Sequence, residues 1–332
     1  MPTFGSGIMP PWGNVAAELE SVTRRGFIPK VVMQIYLSTP LLQRMLDRAN
    51  SATGGVSPIT VPVQGNSMTA MEWSGYSGSF SQPGGLTGLQ NAEFNLKMGV
   101  VPIPFLGMEG VVQLDHAVIP IIEARMNDAM NVLRQGLTNA IVYNSTNPQS
   151  IIGLPAAVDD GTTMDSYGGI SRAANSWWKS LTQNAQGADP TRDLVAQYIT
   201  ALVKKTGEQP TMGITGFGTW HKLLMSLVSY EQIQIMPAAA NDHLNIAFRS
   251  VNIAGVPIYP DPYMPEGTLY LLNERYISPY IHVNGAFRFS GFQSTIPNYQ
   301  IGYLGILLML MELVCTKPQT CAKITNLSHT NM

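Results

Sequence analysis

The sequence predicts an α+β fold, and three stretches carry that prediction. The last third is a string of short β-rich segments, from Gly255-Val-Pro-Ile-Tyr259 through Gly267-Thr-Leu-Tyr-Leu-Leu-Asn273 to the apolar run Ile301–Cys315. The middle holds a long helix-periodic stretch, Leu114–Tyr143, with apolar residues recurring at three- and four-residue steps. Ahead of it, a polar insert, Gly75-Tyr-Ser-Gly-Ser-Phe-Ser-Gln-Pro-Gly-Gly85, separates two strand-like segments.

Residues 1–52 read as an N-terminal arm with two short helices. Asn14 is placed to cap a helix over Val15–Arg24, with Glu18 and Glu20 early and Arg24-Arg25 at its end, a charge order that suits the helix dipole. Thr39 as cap and Pro40 at the first position predict a second helix over Pro40–Arg48. Its apolar face, Leu41, Leu42, Met45 and Leu46, suffices for docking but not for independent folding.

Residues 53–110 read as an extended hairpin loop. Its strands are Ile59-Thr-Val-Pro-Val63 and Phe94–Ile103, the second alternating at Phe94, Leu96 and Met98. The insert between them is too polar to bury a core, which predicts a projecting hairpin ordered by a neighbour. Residues 111–150 carry the long helix, with Ile121, Ile122, Met126, Ala129, Leu133, Leu137, Ala140 and Ile141 in register. Pro120 argues for a break or a start near Ile119, because proline lacks the amide donor required inside a helix. About 25 helical residues make a rod of about 35–40 Å.

Residues 151–295 read as α/β. Gly153-Leu-Pro and Asp159-Asp-Gly-Thr-Thr are loops, and Asp189–Lys204 is an amphipathic helix closed by Gly207. Thr211–Thr215 is a buried strand, and Gly218–Val228 returns to helix. Residues 296–332 are the closing strands.

Composition points to self-association. Charged residues make up 12% of the chain and hydrophobic ones 45%, with 31 Gly and 23 Pro. A chain carrying about half the usual charge has much surface to cover, most simply against copies of itself. A net charge of −2 argues against tight, direct nucleic-acid binding, which needs clustered Lys and Arg. The start, Met1–Gly13, lacks the basic and apolar regions of a secretory signal. Ile301–Met311 covers only about half a bilayer before Glu312, so it reads as a buried strand and no membrane is expected. Cys315 and Cys321 make no disulfide framework, and a reducing cytosol is the simpler setting.

No stretch survives as a catalytic, cofactor or metal site. His116, His221, His243, His282 and His329 are scattered without ligand spacing. Asp159, Asp160 and Asp165 miss the calcium-loop pattern and read as a turn. Gly213-Ile-Thr-Gly-Phe-Gly218 lacks the phosphate-loop signature, and Gly75-Tyr-Ser-Gly78 is not a nucleophile elbow. Trp177-Trp178 reads as an anchor in a core or interface rather than a stacking platform.

The order of these elements resembles the HK97-like major capsid proteins of tailed bacteriophages, over nearly the whole chain. Ile152-Gly-Leu-Pro, Asp160-Gly-Thr-Thr, Tyr167-Gly-Gly-Ile-Ser-Arg-Ala and Trp177-Trp178-Lys179 look like the start of the family's axial domain. Gly255-Val-Pro-Ile, Pro265-Glu-Gly-Thr-Leu-Tyr-Leu-Leu-Asn and Leu313-Val-Cys-Thr-Lys-Pro are similar to its C-terminal strands. The resemblance implies an N-terminal arm, an extended β-hairpin loop, a peripheral domain built on the long spine helix, and an α/β axial domain. It implies a non-enzymatic subunit forming hexamers and pentamers of an icosahedral shell around packaged double-stranded DNA, bound without sequence specificity. It further implies scaffolding, portal and decoration proteins as partners, a virion location, and assembly in the host bacterial cytoplasm. Subunit contacts are expected at Arg24, Arg25, Trp73, Tyr76, Phe80 and Lys97. Some relatives cross-link a hairpin lysine to an asparagine; Lys97 and Asn298 lie in comparable regions, but no motif fixes them. An encapsulin compartment and a soluble α/β enzyme with a glycine-rich lid are the rival readings.

Overall fold

A computed structural model describes residues 39–52, 58–65, 73, 76, 78, 88–106, 118–144, 147–228, 250–294 and 302–330, the side chains of 118–124 excepted. The expected helix over Val15–Arg24, with Arg24 and Arg25, lies outside them, as do Phe80, Asn298, His116 and His243. The chain divides into two units: one includes 98–137 and 282–311, the other 39–97, 138–281 and the chain from 312 onward.

In the second unit, helix α1 spans Pro40–Asp47 and buries Leu41, Leu42, Met45 and Leu46, the face its spacing predicts. Thr39 has the extended backbone of a cap, but its side chain accepts no amide hydrogen bond. The Thr39 carbonyl accepts the Gln43 amide at 3.0 Å, the first backbone bond of the helix.

The short strand β1 is Asn50–Ala52. Strands β2, Ile59–Gln64, and β3, Leu89–Phe94, form an antiparallel hairpin stem. Strand β4 is Lys97–Leu106. The single strand expected over Phe94–Ile103 is therefore two, broken at Asn95-Leu96. The apolar alternation runs through the break, yet β3 pairs with β2 while β4 pairs with a strand two hundred residues later.

Helix α2, Val118–Val142, matches the expected 25 residues. Met126, Ala129, Met130, Leu133, Leu137 and Ile141 are buried at helical spacing. The one-turn helix α3, Leu154–Ala157, follows, then the two-residue strands β5, Ser166–Tyr167, and β6, Ile170–Ser171.

The second unit's main sheet uses β7, Leu181–Asn184; β8, Met212–Thr215; β9, Val251–Ile253; β10, Val256–Pro260; β11, Leu269–Leu272; and β15, Ala322–Thr325. Their order is β7-β15-β11-β8-β10-β9, with β15–β7 and β10–β8 parallel. β8 and β11 lie centrally and are buried at every position. Helix α4, Arg192–Thr206, is capped by the Thr191 side chain, which accepts the Leu194 amide at 3.3 Å. Gly207 closes it in the left-handed conformation (φ +73°), which glycine adopts without strain. Helix α5 is Phe217–Val228. Val195, Ile199, Leu202, Leu223, Ile258 and Leu271 belong to the buried core that joins α4, α5 and the sheet.

Strand β12 is Ile277–His282, β13 Arg288–Ser294 and β14 Gly302–Cys315. In the first unit, β13 and β4 both pair with β14. Within the first unit, β13 and β14 pair from Arg288↔Leu308 to Ser294↔Tyr303. Along β14 burial alternates from Gly305 to Met311, then becomes complete over Glu312–Cys315. The apolar run is thus a buried strand. Among the described residues no helix is long and apolar enough to cross a membrane.

Candidate assembly interface

The hairpin stem is locked at its root. Register runs from Ile59↔Phe94 to Gln64↔Leu89, and the Gly65 amide donates to Gly88 O at 3.2 Å. Phe94, 1% exposed, meets Tyr167 edge-on with ring centroids 5.0 Å apart. Tyr167 continues to Trp178 at 5.9 Å, and Trp178 to Trp177 at 5.5 Å. The Glu93 amide donates to Gly168 O at 2.9 Å. Gly168 has φ +59°, and a Cβ there would lie 2.8 Å from the Phe94 ring, so glycine is required twice over. Such aromatic contacts each add about 0.5–1.5 kcal/mol beyond their buried area.

Beneath the stack lies a charged hub. Asp159 Oδ2 accepts the amides of Gly161 (2.9 Å), Thr163 (2.8 Å) and Met164 (3.2 Å). Asp159 Oδ1 accepts from Lys323 Nζ at 3.2 Å, and Arg172 lies 3.7 Å from Oδ2. Burial alone would raise the Asp159 carboxyl, but these amides and Lys323 hold it well below the usual carboxylate range. Arg172 is fully buried. Its guanidinium donates to the carbonyls of Met164 (2.9 Å), Ala157 (3.0 Å) and Trp178 (3.4 Å) and lies over the Tyr167 ring. The Tyr167 hydroxyl accepts the Cys315 amide at 2.8 Å, tying the hub to β14.

Glu312 is the second buried acid. Its Oε1 accepts the amides of Ile152 (2.7 Å) and Leu313 (3.1 Å). Burial pushes its carboxyl up to about 7, against the opposing pull of those amides and of Lys97. The sequence offered one signal for it: a lone acid inside an otherwise apolar strand.

Of the residues expected at subunit contacts, Trp73 and Tyr76 stand fully in solvent, 91% and 111% exposed. Lys97, at the start of β4, donates its ammonium to Pro148 O at 2.8 Å. Trp178 is a core anchor, 1% exposed, with its indole N–H on Tyr167 O at 2.9 Å, while Trp177 is half-buried and rests against Gly65. The glycine-rich start of α5 holds an internal anion: Glu266 accepts the amides of Gly218 and Thr219, each at 3.0 Å. That carboxylate occupies the place a phosphate would take at a helix start. Asp159 and Glu266 thus spend their charge on the fold itself. Among the described residues no three His, Cys, Asp or Glu side chains gather as a metal site.

No protein-family profile matches the sequence, and no curated protein does. Solved structures do match. The chain is similar to a subunit of the cyanophage A-1(L) capsid asymmetric unit, at 15% identity and TM-score 0.66, over 88% of this chain and 94% of that one. It is similar to a subunit of a native GTA particle capsid, at 9% identity and TM-score 0.55, covering 86% and 90%. The holo-SrpI encapsulin complex of Synechococcus elongatus PCC 7942 matches at 12% identity and TM-score 0.52, covering 87% and 90%. At such identities the likeness is one of fold. This chain has the mixed α/β fold shared by these capsid subunits and the encapsulin, the HK97-like fold its order of elements resembles.

Proposed function

We propose that this chain is the major capsid protein of a tailed bacteriophage, assembling into hexamers and pentamers of an icosahedral shell around double-stranded DNA. The observation that carries this reading is a likeness in fold to a cyanophage capsid subunit over 88% of the chain. The hairpin supports it physically. Its root is fixed by buried aromatics, while Trp73 and Tyr76 stand in solvent, an arrangement that costs free energy unless another surface covers them. Strand addition onto a neighbour and many weak contacts around closed symmetry then stabilise a shell without a tight pair.

In this reading residues 1–52 are the arm, 53–110 the hairpin loop, 111–150 the spine-helix region, 151–295 the axial domain, and 296–332 the strands returning to the periphery. Arg24, Arg25, Trp73, Tyr76, Phe80 and Lys97 are its interface residues, and its role is structural rather than catalytic. Scaffolding, portal and decoration proteins are the expected partners, DNA is enclosed without sequence-specific contacts, and assembly takes place in the host cytoplasm. The encapsulin likeness supports a second reading, a protein-filled compartment, at the lower TM-score of 0.52.

Deleting Gly75–Gly85 tests the hairpin's part in assembly. The variant is expected to retain the far-UV spectrum and urea midpoint of the full chain yet to form no normal shells by electron microscopy. Normal particles from the deletion would overturn the role given to the hairpin. Nuclease-protected nucleic acid in full-length particles supports the capsid reading, and protein cargo supports the compartment.

A further inference from the structure

A cavity of about 500 Å³ opens in the second unit. Its walls come from the loop at Asp160, the 3-10 turn Ser176–Trp178 with Lys179 after it, the start of β7, the last turn of α4, and a second 3-10 turn, Pro318–Thr320. A space of that size falls within the range of small-molecule sites and exceeds what a simple ion fills.

Two ammonium groups converge there. Lys179 and Lys205 both line the cavity, and Lys205 Nζ donates to the Lys179 carbonyl at 3.3 Å. Other lysines of this unit sit on acids: Lys222 on Asp189, Lys317 on Glu208 and Lys323 on Asp159. Among the described residues neither Lys179 nor Lys205 forms such a pair. Much of the Lys205 side chain meets solvent, yet desolvation of its ammonium and the charge of Lys179 both draw it below the ordinary lysine value. Like charges held close without a counter-ion are stabilised by an anion that both reach.

The remaining walls are of another kind. Trp177 is half-buried, with its ring against Gly65, and gives the cavity an aromatic surface. Gln319 adds a side-chain amide. Asp160 adds a carboxylate that accepts the Thr162 hydroxyl at 2.8 Å, the Thr162 amide at 3.1 Å and the Thr182 hydroxyl. That carboxylate repels an anion but accepts hydroxyl groups, so a bare inorganic ion answers only part of the cavity.

We propose that this cavity is a binding site for a nucleoside monophosphate, with the phosphate between Lys179 and Lys205, the base against Trp177 and a sugar hydroxyl donating to Asp160. Each part of the ligand meets one feature of the walls. The phosphate supplies the negative charge that the two ammonium groups lack, in charge-assisted hydrogen bonds that Gln319 extends. Stacking on an indole tolerates any base, so the site is expected to select for the phosphate and not for base identity. The site adds a small-molecule ligand to a subunit whose other features are structural, and it lies within one chain.

The test is isothermal titration calorimetry on the full-length, unassembled subunit, at an ionic strength that screens unspecific charge attraction. The probes are AMP, adenosine and inorganic phosphate. AMP is expected to bind saturably, one per chain, and at least about tenfold more tightly than adenosine or phosphate, since each fragment forgoes one set of contacts. The double variant Lys179→Met, Lys205→Met should lose at least about tenfold in AMP affinity while keeping the wild-type urea midpoint. Trp177→Leu should weaken AMP but leave phosphate unchanged. Trp177→Phe, which keeps a ring, should restore most of the AMP affinity, and it replaces the leucine variant should that one fold poorly. No saturable heat at millimolar AMP would overturn the proposal. Adenosine or phosphate binding as tightly as AMP would do so too, as would a double lysine variant that binds AMP like wild type.

Discussion

Replacing Glu312 with glutamine should change how stability depends on pH, and by a calculable amount. Glu312 is 0% exposed, and its carboxyl is pushed from an ordinary 4.5 up to about 7, chiefly by burial. Between those values the folded chain holds a proton that the unfolded chain has released. Wild-type stability must therefore fall as pH rises through that window and level off above it. At about 1.36 kcal/mol for each unit of pKa, the ionised Glu312 costs roughly 3 kcal/mol at alkaline pH, most of it lost between about pH 5 and about pH 8. Glutamine keeps an oxygen for the Ile152 and Leu313 amides but does not ionise. The advantage of Glu312→Gln over wild type should grow by roughly 2.5 kcal/mol between those two pH values. Urea unfolding of the unassembled subunit at both, followed by tryptophan fluorescence, measures it. A difference that stays constant with pH would refute the reasoning, because it would mean that the buried carboxylate ionises without penalty. Asp159 does not confuse the result. Its folded carboxyl lies below its ordinary 3.8, so the stability it contributes is present above that value and lost only in strong acid.

Two further substitutions probe the hairpin root and the hub. Gly168→Ala places a methyl 2.8 Å from the Phe94 ring and 3.1 Å from the Ala92 Cβ, on a backbone with φ +59°. It should destabilise by about 2–4 kcal/mol, and a urea midpoint within error of wild type would discount the anchoring described for the hairpin root. Arg172→Met strips the buried carbonyls of Met164, Ala157 and Trp178 of a donor and removes a positive charge beside Asp159. A loss of about 3–5 kcal/mol is expected, read as a lowered midpoint or an insoluble product. Unchanged stability would show that the hub is not a structural keystone.

What the sequence made legible is what local periodicity determines. The helical spacing of Met126, Ala129, Leu133, Leu137 and Ile141 is the buried face of α2. The apolar run ending at Cys315 is the strand it read as, with burial alternating from Gly305 to Met311. The turn at Asp159–Gly161 also follows from local chemistry, an aspartate accepting amides just downstream. What stayed hidden depends on residues far along the chain. The same Asp159 gathers Lys323, 164 residues away, and no neighbouring residue announces that partner. The alternation of Phe94, Leu96 and Met98 runs across the break, so the division between β3 and β4 appears only once their partner strands are known. Trp177 and Trp178 are adjacent and chemically identical, yet only Trp178 enters the core, because Gly65 offers Trp177 a shallow seat.

The claim underlying this account is that the polypeptide completes its structure against copies of itself. Electron microscopy of the full-length chain, purified after expression under conditions that permit assembly, tests it most directly. Closed, regular shells whose capsomers are built from this one subunit are predicted. A uniform population of folded monomers that never associates, whatever the salt, pH or concentration, would contradict it.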